Sequence, residues 1–494
     1  MSEPAEESGR SEQAELTSET VTSEEMAAID LNCEYHGLSR LQLMENAGMA
    51  LAQEILSLNP SGVTIFAGLG NNGGDAFVAS RILSGRVGRI RIYLLGRAGE
   101  IKTDIARRNF ELAKLAGVDV VEIRDSKDLE KVELFDCIVD AMLGTGVRGR
   151  LREPYASAVE LINSSEGRKV AVDVPTGLNP DTGECVDAVR ADLTVTFHRA
   201  KPGLLKAKQF VGRLVVRSIG IPPGIERLAG PGDVRIAFRR SEFGHKGTHG
   251  RVLVAGGGPY TGAPALAALA ALKAGADLSF VAVPAKIREV VSSFSPELIV
   301  RGFERTGEIE ERFDVAVVGM GMDERVAREV VRVLSERCER LVLDASAIPC
   351  VEQLSSNSDS VVITPHRGEL RKHFGLEISQ NPGEDELESL RKLARDINAV
   401  ILLKGKIDIV TDGRRIKLNR SGNAGMTAGG TGDVLAGVCG AFLASTSAFK
   451  AAVSAAFVTG FAGDISFEEK GYCITAMDVL EKLPVAIKRC LEFG

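Results

Sequence analysis

The sequence predicts an α/β protein of two domains, each a mostly parallel sheet with helices on both faces. Three observations carry this. The chain has 494 residues, against about 100–200 for a typical domain. Short apolar runs of strand length alternate with helix-length segments, the pattern of parallel strands joined by crossover helices. The richest Pro/Gly interval between regular elements, Gly220-Ile-Pro-Pro-Gly224 through Ala229-Gly-Pro-Gly232, separates two such series. The expected divisions are an acidic tail over residues 1–25, a first domain over 26–225 and a second over 234–494.

Thr22-Ser-Glu-Glu25 has the form of a capping box and opens a helix through about Asn32. A second helix is expected over 41–56. Strands over 63–67, 90–95, 137–141, 170–174 and 193–197 then alternate with helices over 75–83, 101–116 and 153–162. Beyond the Pro/Gly interval come a strand over 252–255, a small-residue helix over 263–274 and a strand over 278–283. Further apolar runs at 315–318, 341–343, 361–363 and 400–403 read as buried strands. Helices over 434–443, 450–462 and 477–490 close the chain. No internal repeat relates the halves, so the two domains differ.

Hydrophobic residues make up 44% and charged residues 26%, ordinary for a chain that buries large cores and unlike a disordered or fibrous one. Trp is absent and Tyr numbers only 5, which argues against a surface that stacks nucleic-acid bases. Residues 1–25 hold eight Glu against one Arg, so the whole formal charge of −7 sits there and the remainder balances. With no basic field, no nucleic-acid partner is expected. The acidic start lacks the basic and apolar regions of a signal peptide, and no run of about 18 uncharged apolar residues is present, so no membrane partner is expected. Eight cysteines without a Cys-x-x-Cys pair suggest buried, reduced thiols in a cytoplasmic protein rather than disulfides or a zinc ribbon. A homo-oligomer is the expected state.

In the first half, Gly68-Leu-Gly-Asn-Asn-Gly73 matches G-x-G-x-x-G after a strand and before a helix. The acidic residue that a dinucleotide fold carries at the end of the next strand is missing, since Leu95-Gly-Arg97 stands there. Asn71, Asn72 and Asp75 add donors and acceptors that a plain phosphate loop does not need. Two more loops follow strands: Asp140-Ala-Met-Leu-Gly-Thr-Gly-Val-Arg-Gly-Arg150 and Val172-Asp-Val-Pro-Thr-Gly-Leu-Asn179. A strand-end Asp can be a mere turn cap. Three polar loops at successive strand ends, where open α/β sheets place ligands, point to a site.

These residues carry a resemblance. Leu43-Met-Glu-Asn-Ala-Gly48, Gly70-Asn-Asn-Gly-Gly-Asp75, Asp140-Ala-Met-Leu-Gly-Thr-Gly146 and Val172-Asp-Val-Pro-Thr-Gly177 resemble the NAD(P)H-hydrate epimerase family, across about residues 26–221. The resemblance implies a Rossmann-like parallel-sheet domain whose site for hydrated NADH or NADPH is lined by Asn71, Asn72, Gly73, Gly74, Asp75, Gly144, Thr145, Gly146, Val147, Arg148, Gly149, Arg150 and Tyr155. It also implies a K⁺ ion held by Asn72, Asp140 and Thr176, and Asp173 as substrate-contacting acid/base at C6 of the hydrated ring. Ala76 stands where the family usually has Gly.

The second half has no G-x-x-x-x-G-K-[ST], because Gly405-Lys406 is followed by Ile407. Asn423-Ala-Gly-Met-Thr-Ala-Gly-Gly-Thr-Gly-Asp433 instead runs into an apolar helix, exposing successive N–H groups as an anion hole. An Asp behind that hole can take a proton from a hydroxyl attacking phosphorus; a Gly-rich turn with a first-turn Asp is the bland alternative. Gly430-Thr-Gly-Asp433 resembles the anion hole of ribokinase-like enzymes. With His245-Lys-Gly247, Gly250-Arg-Val-Leu-Val-Ala-Gly-Gly257, Tyr260-Thr-Gly-Ala-Pro264 and Thr364-Pro-His-Arg-Gly-Glu369, it is similar to the ADP-dependent NAD(P)H-hydrate dehydratase family over about residues 234–483.

That similarity implies a ribokinase-like α/β domain with substrate contacts at Ala263, Gly321, His366 and Asp433. ADP, with Mg²⁺, would contact Lys404, Gly405, Lys406, Ile407 and Asp408, and also Asn423, Ala424, Gly425, Met426, Thr427, Ala428, Gly429, Gly430, Thr431 and Gly432. Lys406 and Asp408 depart from the family's usual Ala and Thr. His366 has an alternative reading as an ordinary helix-start histidine. His36, His198 and His373 lack a partner pattern, His245 and His249 flank a glycine turn, and the Ala-rich helix reads as close helix–sheet packing. The expected whole is a bifunctional enzyme that epimerises R and S hydrated NAD(P)H and dehydrates the S form at the expense of ADP, giving AMP and phosphate. The rival is a ribokinase-like kinase for a sugar or vitamin precursor, fused to a non-catalytic binding domain.

Overall fold

The capping box at the start of the chain forms: Glu25 N–H donates to Thr22 Oγ1 at 3.3 Å and Thr22 N–H to Glu25 Oε2 at 3.1 Å, opening the helix Ser23–Tyr35. A second box, Ser39 with Gln42, opens Arg40–Ser57. The structure, a computed structural model, describes residues 20–146, 149–240, 243–245, 247–309, 312–354 and 359–494. Most of the expected acidic tail therefore lies outside the described residues, and its last residues belong to the first helix. The chain divides into two compact units, with the break between Pro223 and Gly224.

The first unit holds seven strands: β1 (Gly62–Ala67), β2 (Arg89–Leu95), β3 (Asp119–Ile123), β4 (Cys137–Ala141), β5 (Arg168–Val172), β6 (Leu193–Phe197) and β7 (Arg213–Arg217). Their order is β3-β2-β1-β4-β5-β6-β7, and every pairing is parallel. The order reverses between β1 and β4, which opens a crevice beyond their carboxyl ends. β1, β4 and β6 are buried along their whole length, as strands covered on both faces must be. The sequence reading missed β3 and β7. Both are edge strands with exposed positions among buried or half-buried ones, and that polarity hides them. The helix expected from Asp75 begins at Asn71, because extended Gly70 lets the Asn-Asn-Gly-Gly run form its first turn.

The second unit holds β8 (Arg251–Ala255), β9 (Leu278–Pro284), β10 (Ile299–Phe303), β11 (Phe313–Val318), β12 (Cys338–Leu343), β13 (Val361–Ile363), β14 (Val400–Leu403), β15 (Asp408–Thr411) and β16 (Ile416–Asn419). The order is β10-β9-β8-β11-β12-β13-β14-β15-β16. It is parallel through β14 and antiparallel across β14-β15-β16. The edge strands β10 and β16, and the short β15 between β14 and β16, escaped the sequence reading. Part of the Pro/Gly interval is structured within this unit: Ala229 N–H donates to Leu418 O at 2.9 Å, and Pro231–Ala237 is a helix packed on Ala448–Lys470.

The Ala-rich helix Gly262–Lys273 packs chiefly on the helix Thr431–Leu443, rather than on the sheet alone. The two backbones approach so closely that a Cβ on Gly437 would lie 2.0 Å from Ala267 O. Ala448–Lys470 is, among the described residues, the helix long and apolar enough to cross a membrane, yet 83% of its most apolar window is buried inside the unit. It is a core helix by packing. All eight cysteines are free; Cys473 is exposed and Cys185 half-buried, unlike the six buried ones.

Candidate active sites

The first site gathers at the carboxyl ends of β1, β4, β5 and β6. The loop after β1 and the loop after β4 touch backbone to backbone: a Cβ on Gly68 would stand 1.8 Å from Met142 O, and one on Gly73 would stand 2.1 Å from Gly68 O. Glycine is required at both by space. Gly74 is pressed on Met44, where a Cβ would meet Cε at 2.5 Å. Asn71 Oδ1 accepts from Thr103 Oγ1 at 2.7 Å, at the start of the next crossover helix. Gly144 lies against Asn72, whose buried Nδ2 has no hydrogen-bond partner among the described residues. Thr145 is half-buried, while Gly146, Gly149 and Arg150 are exposed. Val147 and Arg148 lie outside the described residues. Tyr155 opens the helix Tyr155–Ser164 and donates its hydroxyl to Leu95 O at 3.3 Å.

Asp140 and Thr176 meet directly. Asp140 Oδ2 accepts from Thr176 N–H at 2.7 Å and Oδ1 from Thr176 Oγ1 at 2.7 Å. Asp140 is 1% exposed. Burial pushes its carboxyl up to about 6, against hydrogen bonds from Thr176 and Met142. Among the described residues no cationic side chain pairs with this buried carboxylate, and the oxygens of Asp140 and Thr176, with the amide oxygen that Asn72 carries on the neighbouring loop, are donors of the kind a hard monovalent cation takes.

Asp173 sits at φ +62 just past β5. Its Oδ1 accepts from Lys201 Nζ at 2.5 Å, Thr196 Oγ1 at 2.9 Å and Phe197 N–H at 3.3 Å. Lys201 is 1% exposed. Two further carboxyls share this electrostatic neighbourhood. Burial raises Asp75 well above the carboxylate range, with Asp173 and Asp30 adding and Lys201 opposing. Burial likewise raises Asp30 to about 7, with Asp173 adding and Lys201, His198 and Arg40 opposing. Sequence reasoning missed Lys201 and Asp30, and set His198 aside. For Lys201 a signal existed: it follows the apolar run 193–197 by four residues, at the same end of the sheet as Asp140 and Asp173.

The second site gathers at the carboxyl ends of β12, β13 and β14 and the start of Thr431–Leu443. Gly430, at φ +96, caps that helix, and a Cβ there would press on Leu266 at 2.8 Å and Ala476 at 3.0 Å. Asp433 lies in the first turn and accepts no hydrogen bond from the described residues. Burial raises its carboxyl to about 6; the Asp344 charge adds and Lys404 opposes. Lys404 Nζ donates to Asp344 Oδ1 at 2.8 Å, which also accepts from Thr364 Oγ1 at 2.6 Å. Burial opposes the Lys404 charge, but Asp344, Glu369 and Asp433 together raise its pKa above the ordinary lysine value. A Cβ on Gly432 would stand 3.4 Å from Lys404 Nζ, so this ammonium adjoins the N–H-rich turn. An ammonium beside exposed backbone N–H groups can hold phosphate, and the unbonded carboxylate can take a proton. Asp344, a strand-end Asp like Asp140 and Asp173, was missed in the sequence.

Ala263 and Gly321 are brought together, since a Cβ on Gly321 would lie 3.4 Å from Ala263 Cβ. His366 is an exposed N-cap: its Nδ1 accepts from Gly368 N–H at 3.0 Å and Glu369 N–H at 3.2 Å, so Nε2 carries the proton. A bridge pairs it with Lys404. Asp408 holds the turn it belongs to, accepting from Gly405 N–H and Asn419 Nδ2, both at 2.9 Å. Gly405 lies under the Arg367 guanidinium, Lys406 is exposed and Ile407 half-buried. Asn423 caps the turn Ala424–Thr427, accepting from Gly425 N–H and donating to Asp464. Thr431 Oγ1 donates to Met426 O and Ala428 O, which folds Gly429 and Gly430 over the helix start. A cavity of about 910 Å³, lined by Arg251, Arg337 and Arg340 among others, opens at the amino ends of β8, β11 and β12. It lies at the wrong edge of the sheet for this chemistry.

Comparison with known proteins bears on both units. The family described as NAD(P)H-hydrate dehydratase matches residues 251–485, and that described as YjeF-related protein N-terminus matches 40–203. The bifunctional NAD(P)H-hydrate repair enzyme Nnr of Archaeoglobus fulgidus is 52% identical over 487 residues, covering 96% of this chain and 100% of the relative. That of Pyrobaculum aerophilum is 44% identical, covering 95% and 98%. Among solved structures, the ADP/ATP-dependent NAD(P)H-hydrate dehydratase of Bacillus subtilis, co-crystallised with ATP/Mg²⁺, is 24% identical with a TM-score of 0.46, covering 52% of this chain and 96% of that one. Identity of this extent across both units leaves no room for a lone kinase with an unrelated appendage: the chain belongs to the family of bifunctional NAD(P)H-hydrate repair enzymes, with an epimerase and a dehydratase domain.

Proposed function

We propose that the first domain, over 26–225, interconverts the R and S epimers of hydrated NADH and NADPH, and that the second, over 234–494, dehydrates the S epimer with ADP. The observation that carries the second half is the unbonded Asp433 carboxylate, half-buried near Lys404 and the Gly430–Gly432 turn. The turn and Lys404 receive the phosphates of ADP with its Mg²⁺, alongside the rest of 404–408 and 423–432. Asp433 takes the proton of the C6 hydroxyl as that oxygen attacks the β-phosphorus and AMP leaves. Phosphate is then a far better leaving group than hydroxide, and its elimination with a ring proton restores the reduced nicotinamide. Ala263, Gly321 and His366 bound the substrate side.

In the first domain, Asn71–Asp75, Gly144–Arg150 and Tyr155 line the cofactor site, and Asp173 handles the proton at C6. Asn72, Asp140 and Thr176 would hold K⁺. Bound there, the ion would supply the positive charge that the Asp140 carboxylate lacks among the described residues. The relatives' names support both reactions; the choice of ADP and of the S epimer rests on the resemblance of the motifs. The protein works in the cytoplasm as a homo-oligomer on small-molecule ligands. The test mixes hydrated NADH of each epimer with the protein, Mg²⁺ and either ADP or ATP, and follows the reduced-nicotinamide absorbance. Recovery with ADP, and of the R epimer only while the first domain is active, is the expected result. Recovery of both epimers at equal rates when Asp173 is replaced would refute the division of labour.

A further inference from the structure

Lys201 is among the largest fully buried side chains of the described residues. Charged lysines are almost never buried unless paired. Its Nζ donates to Asp173 Oδ1 at 2.5 Å, Thr196 Oγ1 at 3.0 Å and Phe197 O at 3.2 Å, which uses its three donors. Asp173 Oδ1 is saturated in turn by Lys201, the Thr196 hydroxyl and Phe197 N–H. Among the described residues nothing donates to Oδ2, and the Asp173 side chain keeps 16% of its exposure. A buried ion pair is a weak way to stabilise a fold, because desolvation offsets the attraction. Here it is combined with a left-handed backbone at Asp173, a conformation that non-glycine residues hold only where their surroundings impose it.

We infer that Lys201 is a positioning residue of epimerisation: its ammonium, with Thr196, locks Asp173 Oδ1 and leaves Oδ2 as the oxygen that exchanges the proton with substrate. The inference rests on the proposed role of Asp173. The other ionisable groups around the pair are Asp75 from the helix Asn71–Leu83, Asp30 from Ser23–Tyr35, and His198 beyond β6, acting on Asp30. Burial raises Asp75 well above the carboxylate range and Asp30 to about 7. Among the described residues Lys201 is the cation that donates to Asp173.

The experiment measures epimerase kcat and KM separately in the full chain for Lys201→Met, Thr196→Val, Asp173→Asn and the double variant Lys201→Met/Asp173→Asn. In Lys201→Met, with Asp173 Oδ1 no longer held by the ammonium, kcat rather than KM should carry a loss of about 10-fold or more. Adding Lys201→Met to Asp173→Asn should cost nothing further. Thr196→Val, which keeps the shape and removes the hydroxyl's two bonds, to Asp173 and from Lys201, but leaves the ion pair, should lower kcat by a smaller factor and leave KM unchanged. Wild-type kcat in folded Lys201→Met, a loss carried by KM instead, or a loss that persists undiminished in the Asp173→Asn background, overturns the inference. Should Lys201→Met fail to fold, wild-type kcat in Thr196→Val overturns it. Wild-type epimerisation in Asp173→Asn would instead end the reading of Asp173 itself, a separate result.

Discussion

Asp433→Asn isolates one oxygen's chemistry from everything around it. The substitution keeps side-chain size and leaves the Gly430–Gly432 turn and Lys404 in place, so the phosphate site survives. What it removes is the carboxylate raised by burial from 3.8 to about 6. A base with its pKa near the working pH is efficient, and general-base groups contribute about 10²–10⁴-fold. Dehydration should therefore slow by at least about 100-fold, while ADP binding by calorimetry stays normal or tightens slightly as a negative charge leaves the phosphates. Wild-type turnover should show an acid limb near 6, which the variant loses. Stability moves the other way. Because the folded-state pKa lies above the unfolded value, the unfolded chain releases its proton first and stability falls as pH rises from about 4 to about 6. At about 1.4 kcal/mol per unit over some two units, the variant should gain up to about 3 kcal/mol at pH 8 and nothing below pH 4. Far-UV circular dichroism through denaturant reads this in a chain without Trp. Full turnover with an unchanged acid limb would refute the base assignment and leave Asp433 as a first-turn residue of its helix.

Asp173→Asn should stop epimer interconversion while dehydration of the S epimer continues, measured on separated epimers; loss of both activities in folded protein would contradict independent domains. Epimerase activity or first-domain stability should respond to K⁺ more than to Li⁺ if Asn72, Asp140 and Thr176 hold K⁺ as proposed, and indifference in K⁺-free protein would remove the ion. Asp30→Asn should stabilise the first domain at pH 8 by up to about 4 kcal/mol, because a carboxyl raised from 3.8 to about 7 loses stability as pH rises through that window; an equal gain at pH 4 would show that packing rather than charge is responsible. Gly73→Ala should cripple the first site, as its Cβ would lie 2.1 Å from Gly68 O, and a folded, fully active variant by thermal melt and epimerase assay would count against the tight turn after β1.

Much of this protein is written in local pattern. Alternation of apolar runs marked the central strands β1, β4, β6, β8, β11 and β12, because strands covered on both faces must be apolar throughout. Edge strands β3, β7 and β10 stayed hidden, since one face or end meets water and their residues look like loop. The Asn-Asn-Gly-Gly-Asp run, the strand-end Asp140 and Asp173 and the Gly430-Thr-Gly-Asp433 turn were legible because phosphate and polar-ring chemistry needs glycine and carboxylates in short contiguous runs at strand ends. The partners of those groups were not. Lys201 lies 28 residues from Asp173, Lys404 lies 60 from Asp344, and Asp30 reaches the first site from a helix before β1. No periodicity links such positions; only strand order brings them together. Burial, too, is a tertiary property: it raises Asp408 and Asp433 alike to about 6, and hydrogen bonds then separate Asp408, tied to Gly405 and Asn419, from Asp433, left with its carboxylate unbonded among the described residues. The sequence determined which chemical groups stand at the strand ends, and the packing of the sheets decided which carboxyls hold a proton and which lysine faces each of them.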